Sequence, residues 1–235
     1  MSKSKESDFE ALVDSLGLIE GVAWRCVHCG HFFDLVSELP QQKSEFWTFV
    51  QNSLGESFCL LWCHLFGKKN ERLHYHRFLS RPEIQAMGSQ YSVPTIKARL
   101  LASAMLSESE FDKLWEEVLR CRDKYIGHRD VDAGAIVFPR TDLCLKIVEE
   151  FRCVLADCAK SLLAAKPDNE KLDVFVRFYG ENSNSRVKTL AINKLAHGMK
   201  EGGQLAINLS LQSAAKFSNI NQSFVQQSLS TDDNA

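Results

Sequence analysis

Residues 44–66, SEFWTFVQNSLGESFCLLWCHLF, carry large apolar side chains around too much of a helical circumference to lie half in water. Phe46, Trp47, Val50, Leu54, Phe58, Leu61, Trp62 and Leu65 recur at helical spacing. Together they cover more than the single stripe of a surface helix. The segment is therefore expected to be a central helix packed on more than one side, with Ser44 as N-cap and Gly67 as its stop. Any fold for this chain has to supply that cover.

The remaining periodicity supplies it in further helices. Phe9, Leu12, Val13 and Leu16 predict a short leading helix within 1–21, ended by Gly17 and Gly21, and Val22 through Leu39 predict a first core helix over 22–39, closed by Pro40. Residues 95–106 and 108–126 read as two more. Ser107 with Glu110 three positions on has the capping-box pattern that opens a helix. A loop over 127–140 leads to strong periodicity over 141–165, with Thr141 or Asp142 as cap. Past Pro167 the run Asp173-Val174-Phe175-Val176-Arg177-Phe178-Tyr179-Gly180 reads as a strand, followed by a turn-rich stretch, a helix over 186–200 and a Ser-, Gln- and Asn-rich tail expected to be disordered at its end. The expected architecture is all-α: an antiparallel up-and-down bundle over 1–166, with a C-terminal extension over 167–235 that carries the short strand.

Composition narrows the function classes. A formal net charge of -2 excludes a chain that binds nucleic acid by bulk positive charge, although a local basic pocket suffices for phosphate. No apolar run is long enough to span a bilayer, and the first eight residues lack the apolar core of a signal peptide, so a cytoplasmic protein without membrane contact is expected. The eight cysteines sit at apolar helical positions and read as reduced, buried thiols. Cys26 and Cys29 have the spacing of half a zinc knuckle, but Cys59 and Cys63 have the i, i+4 spacing of a helix face, which makes helix interior the better reading than a metal site.

Two stretches carry candidate chemistry. The first is Arg122-Asp123-Lys124-Tyr125-Ile126-Gly127-His128-Arg129-Asp130, where a guanidinium, a carboxylate and an imidazole crowd the end of the 108–126 helix. Six positions separate Arg122 from His128, which would face opposite ways on an unbroken helix, so they converge only if Gly127 breaks or distorts the last turn. An ion pair at a helix end and a histidine cap on its dipole account for the same residues without any catalysis. The second stretch is the basic segment 67–93. Lys68, Lys69, Arg72, His74, His76, Arg77 and Arg81 make it either solvated surface or a second contact to a phosphate backbone.

The first stretch, in its helical context, resembles the signature of the HEPN superfamily (higher eukaryotes and prokaryotes nucleotide-binding), and its abortive-infection-type branch in particular. Phe46-Trp47, Asn52-Ser53-Leu54 and Leu65-Phe66-Gly67 add to the resemblance, which covers about residues 20–165. It implies a metal-independent endoribonuclease with no cofactor, leaving a 2′,3′-cyclic phosphate and a 5′-hydroxyl. Arg122 would hold the scissile phosphate, His128 would act as general acid-base, and Asp123 would orient one of them. Lys124 and Arg129, with Lys68, Lys69, Arg72 and Arg77, would bind RNA. Because a single motif supplies one arginine and one histidine, the resemblance also implies a homodimer with both motifs at one cleft. A toxin or antiphage effector of this kind implies in addition an antitoxin or other neutralising partner. The competing reading is a non-catalytic helical dimer that binds a nucleotide, RNA or a protein.

Overall fold

The computed structural model describes residues 3–37, 45–123 and 138–179, all within one compact unit, Met1–Glu181. Among these residues the chain is all-helical: α1 (Lys3–Ser37), α2 (Glu45–Phe66), α3 (Tyr75–Leu79), α4 (Pro82–Gln85), a 3-10 turn at Ser89–Tyr91, α5 (Val93–Ala104), α6 (Glu108–Cys121), α7 (Thr141–Ala165) and α8 (Glu170–Tyr179). None of the described helices is long and apolar enough to cross a membrane. Ser44, the expected cap of α2, lies outside the described residues, as do the helix expected over 186–200 and the tail.

Helix α2 is the covered helix that its composition requires. Phe58, Trp62 and Leu65 have no measurable exposure. The helix ends where Gly67 donates its backbone N–H to the Cys63 carbonyl at 2.9 Å. Helix α1 runs antiparallel to it, as the bond from Gln51 to Ser37 at one end and the packing of Phe58 beside Gly30 further along indicate. A β-carbon on Gly30 would come within 2.7 Å of Leu145 and 2.8 Å of Phe58, so this glycine lets three helices approach closely. Helix α7 lies antiparallel to α1: Thr141 donates to Asp34 at 2.7 Å, and far along the interface Arg152 donates to Glu20 at 2.5 and 2.8 Å. Helices α5 and α6 close the bundle on α7 and α2.

Three expectations are corrected. Residues 1–39 do not form two helices, because α1 runs unbroken for 35 residues. Gly17 and Gly21 face open space, and the stripe of Leu12, Leu16, Ile19, Ala23 and Cys26 stays buried straight past them. Each glycine costs about 1 kcal/mol against alanine, less than the burial of one leucine in that stripe. The run from 173 is likewise not a strand. Leu172 and Phe175 are buried and Val176 packs on the core, while Val174 points out. That is helical spacing, hidden in the sequence by an apolar run too short to assign from periodicity. This helix, α8, packs on α7 and α1. Finally, the cap of α7 is Arg140 rather than Thr141 or Asp142, and it makes no side-chain cap bond; the Thr141 hydroxyl is spent on Asp34. The basic segment, for its part, is not simply solvated, since Tyr75, Phe78, Leu79, Ile84 and Tyr91 anchor it in the core.

Candidate functional site

Helix α6 carries the Arg122 motif, and its sequence positions it firmly. At its start the Ser107 and Glu110 side chains cap each other's backbone N–H groups, the predicted capping box. Along its length Leu114, Val118, Leu119 and Cys121 are buried in the core, where α6 packs on α2. At its end Arg122 keeps right-handed helical angles, and with Asp123 it widens into π geometry, a local change often met where a helix presents functional groups.

The Arg122 side chain is 16% exposed, and one edge of its guanidinium is held. Nε donates to Asp123 Oδ1 at 2.7 Å, and Nη2 is ion-paired with the same oxygen at 2.7 Å. The Nη1 edge faces Glu71 Oε1 at 4.0 Å, a contact too long for a hydrogen bond. Glu71 belongs to the segment between α2 and α3, and its other oxygen lies 3.6 Å from Nδ1 of His64 on the last turn of α2. A line of His64, Glu71, Arg122 and Asp123 therefore crosses from α2 to α6. Beneath it Cys63 is buried, and burial pushes its thiol up to about 12 against the opposing pull of Arg122, so it is no thiolate nucleophile at neutral pH.

Of the residues expected from the sequence, Arg122 and Asp123 are ion-paired with each other. Lys124, Gly127, His128 and Arg129 lie outside the described residues. The four remaining basic residues do not form one surface. Lys68 and Lys69 are exposed at the rim of a cleft of about 670 Å³ that is backed by Phe66, Phe111 and Trp115. Arg72 and Arg77 instead line a separate hollow of about 390 Å³, together with Arg81 and Ser15 of α1. There Arg81 donates to the Ser15 hydroxyl at 2.8 Å and Arg77 to the Asn70 carbonyl at 3.3 Å, so two of the three guanidinium groups are partly pre-positioned. No carboxylate lines that hollow among the described residues. Three forks of donors without a counter-charge can bind phosphate oxygens.

Sequence reasoning missed His64 and Glu71 as neighbours of Arg122. His64 stood out only through its place beside Cys63. The thiols themselves are dispersed in the packing: Cys26 donates to the Phe58 carbonyl at 3.7 Å, and Cys59 lies 3.6 Å from Cys121. No group of three or more His, Cys, Asp or Glu side chains among the described residues is arranged to hold a metal. No family model matches this chain, and no curated protein or solved structure was found to match it.

Proposed function

We propose that this chain is a metal-independent endoribonuclease of the HEPN type, active as a homodimer and serving as a toxin or antiphage effector that a partner protein restrains. The single observation that supports it best is the state of Arg122. Asp123 fixes one edge of the guanidinium, and among the described residues the opposite edge is opposed only by a long contact to Glu71. A phosphate that displaced Glu71 would meet a pre-oriented fork, without the entropy cost of ordering a free arginine. The hollow of Arg72, Arg77 and Arg81 adds a second place for backbone phosphate.

In this reading the ribose 2′-oxygen attacks the adjacent phosphorus, and the bond to the 5′-oxygen breaks. His128 takes the 2′-hydroxyl proton, and the partner subunit's His128 supplies a proton to the leaving 5′-oxygen. Arg122 stabilises the extra negative charge on the phosphorane-like transition state. Incubation of the purified protein with tRNA or total RNA in EDTA tests the proposal. Cleavage to 2′,3′-cyclic phosphate ends, lost in Arg122→Ala and in His128→Ala, is the expected result. One observation favours a second reading: two carboxylates already flank Arg122, as they would in a purely structural ion pair. RNA left intact by a well-folded dimer would leave the chain as a non-catalytic helical module for a nucleotide or a protein.

A further inference from the structure

The cleft rimmed by Lys68 and Lys69 is not used by the Arg122 motif, and its chemistry is more specific than a basic patch. Phe111 and Trp115, one turn apart on α6, present half-buried rings to it. Trp115 is locked in place, because its indole N–H donates to the carbonyl of Phe66 at 2.8 Å and to that of Gly67 at 3.2 Å. Those carbonyls are the negative end of α2, and the His74 ring hydrogen-bonds them as well. The groups most repellent to an anion at this point are therefore already covered. Across the cleft, the first turn of α5 brings Val93, Pro94 and Lys97. Lys97 is paired with Glu108 at 3.1 Å, whereas Lys68 and Lys69 extend from the segment that follows α2 with their charges outward. Asp112 is the one other carboxylate lining the cleft.

We propose that this cleft binds a nucleotide, with the base against Phe111 and Trp115, its exocyclic amino group on Asp112 and its phosphate on Lys68 and Lys69. An aromatic wall beside ammonium groups is the arrangement that stacks a base and holds its backbone, and the volume suits a ligand of that size. An anion lacking a ring would gain nothing from the wall, and an apolar ligand would leave the two ammonium groups unmatched. The nucleotide has two possible sources: a free mononucleotide, or a residue of an RNA strand. The strand follows from the ribonuclease reading and rests on it. Trp115 and Arg122 are seven residues apart on α6, about 10 Å along the helix axis, so a base in the cleft could belong to the strand whose phosphate lies at Arg122.

Titration calorimetry of the full chain with AMP, GMP, ribose 5-phosphate and inorganic phosphate provides the test, alongside fluorescence anisotropy with a labelled 2′-O-methyl RNA oligonucleotide. That oligonucleotide lacks the attacking hydroxyl, so binding is read separately from cleavage. The nucleotides should bind at least about tenfold more tightly than ribose 5-phosphate, as expected for one stacked base. The exposed double variant Lys68→Glu/Lys69→Glu should lose at least about tenfold, with an unchanged circular dichroism spectrum. Phe111→Leu should weaken the nucleotides while leaving inorganic phosphate unaffected. Tighter binding of the oligonucleotide than of AMP or GMP, reduced by the same variants, assigns the cleft to a strand; the reverse order assigns it to a free nucleotide. Equal binding of AMP and ribose 5-phosphate overturns the proposal, as does indifference to the double variant. Loss of cleavage without loss of this binding removes the ribonuclease reading alone, and intact cleavage by a double variant that binds as wild type removes the cleft alone.

Discussion

His74 should make this bundle sensitive to acid. The residue is 3% exposed, caps α3 by accepting the His76 N–H on Nδ1 at 3.1 Å, and hydrogen-bonds the Phe66 and Gly67 carbonyls. With Nδ1 accepting, the ring proton must sit on Nε2, so a second proton would destroy the cap as well as bury a charge. Burial is the largest cause that brings the imidazole down to about 4, and the neighbouring His76 adds to it. In the unfolded chain the value is about 6.5. As pH falls through about 6.5 the unfolded chain takes up a proton that the folded chain refuses until about 4, so stability is lost across that window. The full loss is about 3 kcal/mol, of which about 2 kcal/mol falls between pH 7 and pH 4.5. His74→Asn keeps a cap acceptor but cannot titrate. Urea denaturation of both proteins, followed by circular dichroism at pH 7, 6, 5 and 4.5, isolates the contribution from other acid-sensitive groups. The variant should start less stable at pH 7 and lose about 2 kcal/mol less than wild type on reaching pH 4.5. Parallel profiles for the two proteins would refute the assignment, as would an imidazole NMR titration that places His74 near 6.5.

Other perturbations test other parts of the structure. Glu20 and Arg152, both almost fully buried, are joined between α1 and α7, and the second Glu20 oxygen has no hydrogen-bond partner. Burial raises the Glu20 carboxyl despite the opposing pull of Arg152. Glu20→Ala should therefore cost about 3–5 kcal/mol in urea denaturation, whereas Glu20→Leu combined with Arg152→Met should recover most of that loss. If the single and the double variants prove equally unstable, the cost is not that of breaking the buried Glu20–Arg152 pair. Gly17→Ala and Gly21→Ala should each raise stability by about 0.5–1 kcal/mol, since a β-carbon meets nothing within 4 Å at either site; a drop in thermal midpoint would mean that α1 is not continuous there. Reversing Arg72, Arg77 and Arg81 to Glu should weaken RNA binding and flatten its salt dependence by about one unit of slope per lost phosphate contact, as measured by anisotropy from 50 to 200 mM salt. An unchanged slope would remove the hollow from the RNA path.

The long helices were legible because pattern and punctuation agreed. Residues 141–165 coincide with α7, the capping box opens α6, and Gly67 closes α2 as its position indicated. Errors arose where punctuation and burial conflicted. Gly17 and Gly21 are breakers by propensity, but the buried stripe of α1 outweighs them; the apolar run from 173 fits a strand locally, yet Phe175 and Val176 join Leu172 in the core at helical spacing while Val174 is exposed. Helices α3 and α4 have five and four residues, less than the window in which a period can be recognised.

The candidate site was legible in a different way. Arg122 and Asp123 are adjacent in sequence, so their pairing could be read directly, whereas Glu71 reaches Arg122 across 51 positions and His64 lies further still. Basic density in 67–93 was open to solvated surface or phosphate contact and carried no direction. Direction is set by the core: once Tyr75, Phe78 and Leu79 are buried, Lys68 and Lys69 stand at the rim of the Trp115 cleft, and Arg72, Arg77 and Arg81 line the hollow beside α1. Glu71 lies between these two groups, on Arg122 and His64. One short segment thus supplies Lys68 and Lys69 to one concavity, three arginines to the other, and the carboxylate that a phosphate bound at Arg122 would have to displace. Glu71→Gln should consequently strengthen phosphate binding at Arg122 while leaving the two concavities unchanged.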